Sequence, residues 1–231
     1  MKRTVISLLL GLSSMAASAV PLTFTNEGVI GQTTLFRGAL GGLGLTQIAS
    51  ITVSDSNSGV GGSPGVFSGF DLDFAILDLD GNFATAGDHV FASVSVFTTG
   101  AIRPTIDTNF QPTVGRPGPT VGSSAANVID VALSTLNVLD GSFPGSFNTD
   151  NVSGWLTLGD GGVLKLGFAS PIVLTGTEAL FLGEVGTGAG ELADGATVNV
   201  STTPIPEPSA LALIGAGLVG FGCMRRKAKH A

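Results

Sequence analysis

The sequence predicts an all-β body, a single antiparallel β-sandwich of jelly-roll type, flanked by an N-terminal signal peptide and a C-terminal transmembrane helix. Three observations carry this. Short runs of alternating apolar and polar residues recur between Gly and Asp-Gly turns, the pattern of paired half-buried strands. No window of the body carries a 3.6-residue apolar period. The composition is strand-like and Gly-rich, with 35 Gly, 14 Phe, one Trp and no Tyr in 231 residues.

The first segment, 1–19, has Lys2 and Arg3, then the apolar run Val5 to Leu12, then small residues ending in Ala17-Ser18-Ala19. A positive flank, a short apolar stretch and a small-x-small exit form a secretory signal peptide, with cleavage expected after Ala19. The apolar stretch is shorter than the roughly 20 residues that span a bilayer.

The body, 20–203, holds eight candidate strands. The first surrounds Ile48-x-x-Ile51-x-Val53 and precedes a loop from Ser54 to Pro64. The second, Phe70 to Ile76, alternates strictly, so Phe70, Leu72, Phe74 and Ile76 are expected in the core and Asp71 and Asp73 in water. A turn over Asp78 to Asn82 leads to a third strand, Val90 to Phe97. The segment Arg103 to Gly122, with four prolines, reads as a long loop. Further strands are expected over Val128–Leu133, Gly154–Leu158, Val163–Phe168, Ala179–Val185 and Thr197–Val200. Gly159-Asp160-Gly161-Gly162 is a hairpin signal between two of them. No fixed-period repeat is present, which argues against a propeller or solenoid.

Charge narrows the function. Between Val20 and Ile205 stand sixteen carboxylates and four cations, Arg37, Arg103, Arg116 and Lys165, a net charge of −12. An acidic surface repels phosphate backbones, so nucleic acid is not an expected partner. The single cysteine, Cys223, lies outside the body, so no disulfide framework is expected.

Catalytic constellations are poorly supplied. His89 is the body's one histidine. Gly61-Gly62-Ser63-Pro64-Gly65 has the Gly-x-Ser-x-Gly spacing, but Pro64 lacks the N–H that an oxyanion hole takes from the residue after the serine. Glu184 and Glu191 flank a Gly-rich loop and could form a glycosidase-like pair, the basis of an alternative carbohydrate-binding or carbohydrate-active reading. An ice-binding role is a third reading, weakened because no flat array of Thr-x-Thr pairs is present. The body is therefore expected to be non-enzymatic. Asp71, Asp73, Asp78, Asp80, Asn82 and Asp88 gather enough oxygen donors for a structural Ca²⁺, the one cofactor the sequence offers. Asp78-x-Asp80-Gly81-Asn82 opens like an EF-hand loop, but its Gly comes early and no Glu closes it.

The tail, 204–231, is the most specific feature. Pro204-Ile205-Pro206-Glu207-Pro208 is a stiff, extended stretch, since each Pro fixes φ and removes a donor. Ala210 to Met224 contains no charge and would rise about 22 Å as a helix, a short span for a hydrocarbon layer of roughly 30 Å. Arg225, Arg226 and Lys227 form a basic stop expected to stay cytoplasmic. The succession of Pro206, Glu207 and Pro208, an apolar helix and an Arg-Arg-Lys end resembles the PEP-CTERM sorting signal of exported proteins in Gram-negative bacteria. That resemblance implies recognition by an exosortase, cleavage near Pro-Glu-Pro, transient inner-membrane anchoring, and delivery to the cell surface or an exopolysaccharide matrix. The implied role is structural or adhesive, with extracellular polysaccharide as a partner.

Overall fold

A computed structural model describes residues 19–59, 63–84, 88–106, 118–141, 154–186 and 196–205. The predicted signal peptide up to Ser18, and the tail from Pro206 onward with its apolar helix and basic stop, lie outside the described residues. Among the described residues no helix is long and apolar enough to cross a membrane.

The described chain is all-β with antiparallel pairing. In order it forms β1 (Ala19–Leu22), β2 (Thr25–Ile30), β3 (Thr33–Ala39), β4 (Gln47–Ser54), β5 (Asp71–Asp78), β6 (His89–Val90) and β7 (Val94–Thr98). There follow β8 (Ser123–Ala125), β9 (Val128–Ile129), β10 (Leu156–Thr157), β11 (Val163–Val173), β12 (Ala179–Val185) and β13 (Thr197–Ser201). One sheet has the order β1-β13-β4-β11-β7. A second has the order β10-β5-β12-β3-β2, with β6 also on β5, and β8 pairs with β9 apart from both.

The two large sheets share one core. Leu22, Ile51, Val53, Leu164, Leu166, Val198 and Val200 of the first cluster with Phe36, Leu72, Leu77, Leu180 and Leu182 of the second. Each fully buried Leu, Ile or Phe contributes about 1.5–3 kcal/mol relative to exposure, so this shared layer is the main stabilising feature.

Several expectations are corrected. The strict alternation predicted for Phe70 to Ile76 breaks at Asp73. Leu72 pairs with Glu184 and Phe74 with Gly183, so Asp73 is an extra residue in a β-bulge. The bulge flips the phase. Leu72, Ala75 and Leu77 join the shared core, while Phe74 and Ile76 form a separate cluster with Leu35, Ala179 and Phe181. Asp73, expected in water, is fully buried. Its carboxylate accepts from Thr33 Oγ1 (2.5 Å), Gly141 N (2.9 Å) and Asp140 N (3.3 Å), bonds that a regular strand would not offer.

The strand predicted over Val90 to Phe97 is two strands in different sheets. His89–Val90 pairs with β5, whereas Val94–Thr98 pairs with β11. Ser93 marks the crossing, donating from N (2.8 Å) and Oγ (3.3 Å) to Gly167 O. The turn at Gly159 to Gly162 exists, closed by Gly162 N to Gly159 O at 2.8 Å, but it is no hairpin. It hands the chain from β10 in one sheet to β11 in the other. Of the run Val128–Leu133, only Val128–Ile129 is strand. The sequence also concealed β1, β2 and β3; β2 and β3 make a tight hairpin in which Ile30 pairs with Thr33 and Gly31 takes φ +64°.

Gly183 illustrates how the outer face of the second sheet is packed. The Phe74 ring lies over it, so a β-carbon there would overlap the ring. Gly183→Ala is expected to lower stability by about 1–3 kcal/mol through overpacking, read as a lower urea midpoint with unchanged slope. An unaltered midpoint would show that Phe74 is free to move aside.

Candidate functional site

Several carboxylates among the described residues hold backbone N–H groups or side chains of neighbouring elements. Asp71 accepts from Thr157 Oγ1 on the neighbouring β10. Asp55 accepts from Asn57 N (3.0 Å) and Gly161 N (2.7 Å), tying the end of β4 to the turn before β11. Asp160 lies 3.3 Å from Arg103 Nε. Burial pushes the Asp160 carboxyl above its ordinary range, with Arg103 acting the other way. Burial likewise raises Asp73, against the pull of its three hydrogen bonds.

Glu178 is the opposite case. It is buried in the turn between β11 and β12 and accepts from Thr175 N (2.6 Å), Thr175 Oγ1 (2.7 Å) and Gly176 N (2.8 Å). Desolvation acts to raise its pKa, but these bonds together outweigh it and bring the value down from 4.5 to about 2.

Of the six residues predicted as calcium ligands, the structure brings three together. Asp78 ends β5, Asp80 lies in the turn after it and Asp88 directly precedes β6; one carboxylate oxygen from each lies within 4.8 Å of the others. Asn82 contributes its backbone, donating N–H to Asp78 Oδ1 (2.9 Å) and Asp80 Oδ1 (2.7 Å), while its side-chain oxygen accepts from Ala84 N at 3.3 Å. Asp71 and Asp73 are committed elsewhere, as described. Asp78 is fully buried. Its pKa is raised, chiefly by desolvation, and Asp80 and Asp88 push the same way against the Gly81 and Asn82 N–H bonds.

Sequence reasoning set His89 aside as a catalytic residue and as a zinc ligand and missed its place beside this group. Nε2 of His89 sits 3.3 Å from Asp78 Oδ2, and its ring stacks on Phe83 at 5.3 Å. Phe83 in turn stacks on Phe74 at 5.3 Å and contacts Phe181 at 5.2 Å. The adjacency Asp88-His89 at the end of an Asp-rich turn was the available signal. Also missed was a groove of about 630 Å³ beside Phe83, lined by Glu27, Ile30, Arg37, Asn82, Phe83 and Phe181. Glu184 lies outside it, buried on β12 between Thr34 and Leu72; Glu191 is outside the described residues.

The other site is where the body ends. β13 lies between β1 and β4, with Val200 opposite both Val20 and Ile51. Ser50 Oγ donates to Thr203 O at 2.8 Å, and the Ile205 side chain lies over Gly167, where an added β-carbon would touch it. The chain is thus held to the sheet up to the residue before Pro206. Residues 204–227 match the PEP-CTERM protein-sorting motif, so this chain carries that sorting signal directly after its last strand. The motif implies export, processing by an exosortase and sorting to the cell surface. No curated protein and no solved structure matches the chain.

Because the folded pKa of Glu178 lies below its unfolded value, its stabilisation is present above about pH 4.5 and is lost as pH falls towards 2. Glu178→Gln is expected to cost about 1–3 kcal/mol at neutral pH and to converge with the wild type near pH 2. Urea midpoints at the two pH values test this, and a pH-independent difference would contradict it.

Proposed function

We propose that this chain is an exosortase-sorted structural or adhesive protein of the cell surface or exopolysaccharide matrix, without catalytic activity. The single observation that carries the reading is the sorting motif at 204–227, which follows the last strand after two residues. The signal peptide starts export, the apolar stretch 210–224 holds the chain in the inner membrane, and the basic end stays behind when the exosortase cuts near Pro206-Glu207-Pro208.

The body suits a passive module. We read the two sheets as a jelly-roll sandwich: β1, β13, β4 and β11 in one layer and β3, β12, β5 and β10 in the other interleave in chain order as that topology requires. The remaining strands are additions at its edges. The net charge of −12 keeps such a module soluble outside the cell and favours cation-mediated contact with acidic polymers. His89 is nearly buried against Phe83 and Asp78, a packing position rather than one poised over a cleft. The carbohydrate reading finds support in the Phe83 groove, where aromatic faces meet Glu27, Arg37 and Asn82, rather than in Glu184.

Fractionation of cells producing the wild type and a variant with Pro206, Glu207 and Pro208 all changed to Ala, with intact mass of the product, tests the proposal. The wild type is expected to lose its Arg-rich end and leave the inner membrane, while the variant keeps both. If both proteins retain the tail and stay in the inner membrane, the chain is a permanently anchored protein and the assigned destination is wrong.

A further inference from the structure

We infer that Asp78, Asp80 and Asp88 form a calcium site that clamps the turn between β5 and β6 and holds Phe83 over the outer face of the second sheet. This narrows the six ligands anticipated from sequence to three, and it rests on side-chain geometry independent of the sorting signal.

Three carboxylates within 4.8 Å repel one another unless a cation lies among them. Buried atoms around them lack hydrogen bonds. Asp78 Oδ2 and Asp88 Oδ1 are both buried without a partner of that kind. The independent observation is His89. Its side chain is 8% exposed, and its Nε2 faces Asp78 Oδ2 at 3.3 Å yet forms no hydrogen bond. His89 Nε2 and Asp78 Oδ2 stand at ion-pair distance, but a protonated His89 offsets one carboxylate of three, and Asp88 Oδ1 stays buried with no hydrogen bond, so the group still calls for a further positive partner. Arg37 does not supply it through its Nε, which donates to Gly81 O at 3.3 Å.

The donor set selects the ion. All three ligands are carboxylate oxygens, which suit hard cations. Edges of at most 4.8 Å put the centre at most about 2.8 Å from each corner, within reach of all three carboxylates, and an irregular set of protein oxygens suits calcium, whose shell is flexible, better than magnesium, which demands a near-ideal octahedron and keeps its waters. Asp80 is exposed, so water has access to complete the coordination sphere. His89 acts as a positioning residue, its ring wedged between Phe83 and the edge of Phe91 and its Nε2 against Asp78. Closing the turn with an ion fixes Phe83 on Phe74 and Phe181, and with them one wall of the groove beside Arg37.

The test is thermal unfolding of the full chain in detergent, first with chelator and then with calcium or magnesium, alongside calorimetric titration of each ion. Calcium a hundredfold above its Kd is expected to raise Tm by about 5–10 °C with one ion per chain, and magnesium to do much less. Asp80→Asn together with Asp88→Asn is expected to abolish the calcium response while unfolding in chelator at or above the wild-type Tm, because like-charge repulsion is relieved. Asp80→Asn alone, at an exposed position, gives a variant whose folding is not at stake and is expected to weaken calcium at least tenfold. A wild type that ignores calcium, responds equally to magnesium, or keeps its calcium response in these variants overturns the assignment.

Discussion

The structure depends on the insertion of β13 between β1 and β4. Three strands from opposite ends of the body meet there, with Val198 and Val200 fully buried between the sheets. Few consecutive strands pair: β2 with β3, β5 with β6, and β8 with β9. All other neighbours are distant in sequence, so the chain cannot complete its first sheet until Thr197–Ser201 arrives. Long-range pairing of this kind is slow, because loop-closure entropy is lost before contacts repay it. An exported chain made from its N-terminus would close only when the residues just before the sorting motif have emerged.

That order gives the placement of the motif a physical meaning. The sheet keeps hold of the chain through Ser50 and Thr203 and through Ile205 beside Gly167, and the motif starts at Pro204. Processing near Pro-Glu-Pro would leave every described strand in the chain. The carboxylates divide in the same spirit. Asp55, Asp71, Asp73 and Glu178 are bound to N–H or hydroxyl donors and stabilise turns and ladders. Asp78 and Asp80 also accept from Asn82 N, but together with Asp88 they crowd, leaving Asp78 Oδ2 and Asp88 Oδ1 buried without a hydrogen bond.

The all-β class and the positions of β4, β5, β11, β12 and β13 were legible because alternation and β-branched content report local burial. Partner choice was not. Gly159 to Gly162 looks like a hairpin locally, and only the competition of two sheets for β10 and β11 sends the flanking strands apart. Asp73 reads as a solvent residue because the groups that bury it, Thr33, Asp140 and Gly141, are remote in sequence, and Phe74 and Ile76 read as shared core because a one-residue bulge inverts every later side chain. β1 escaped notice because its first residue, Ala19, is also the last residue of the expected export signal, and β2 because all its residues are exposed, leaving no apolar stripe to read. Of the acidic site, composition revealed the donors, but their division into Asp71 and Asp73 on one side and the Asp78 group on the other is set by tertiary partners.

The central claim is that β13 closes the first sheet by pairing with both β1 and β4. Cooperative unfolding of two truncated chains, one ending at Ile205 and one at Ala196, tests it most directly. The longer chain is expected to unfold in a single sharp transition with protected amides across β1, β4 and β13, and the shorter to lack it. Matching transitions in both chains would show that the first sheet closes without its last strand and would contradict the account.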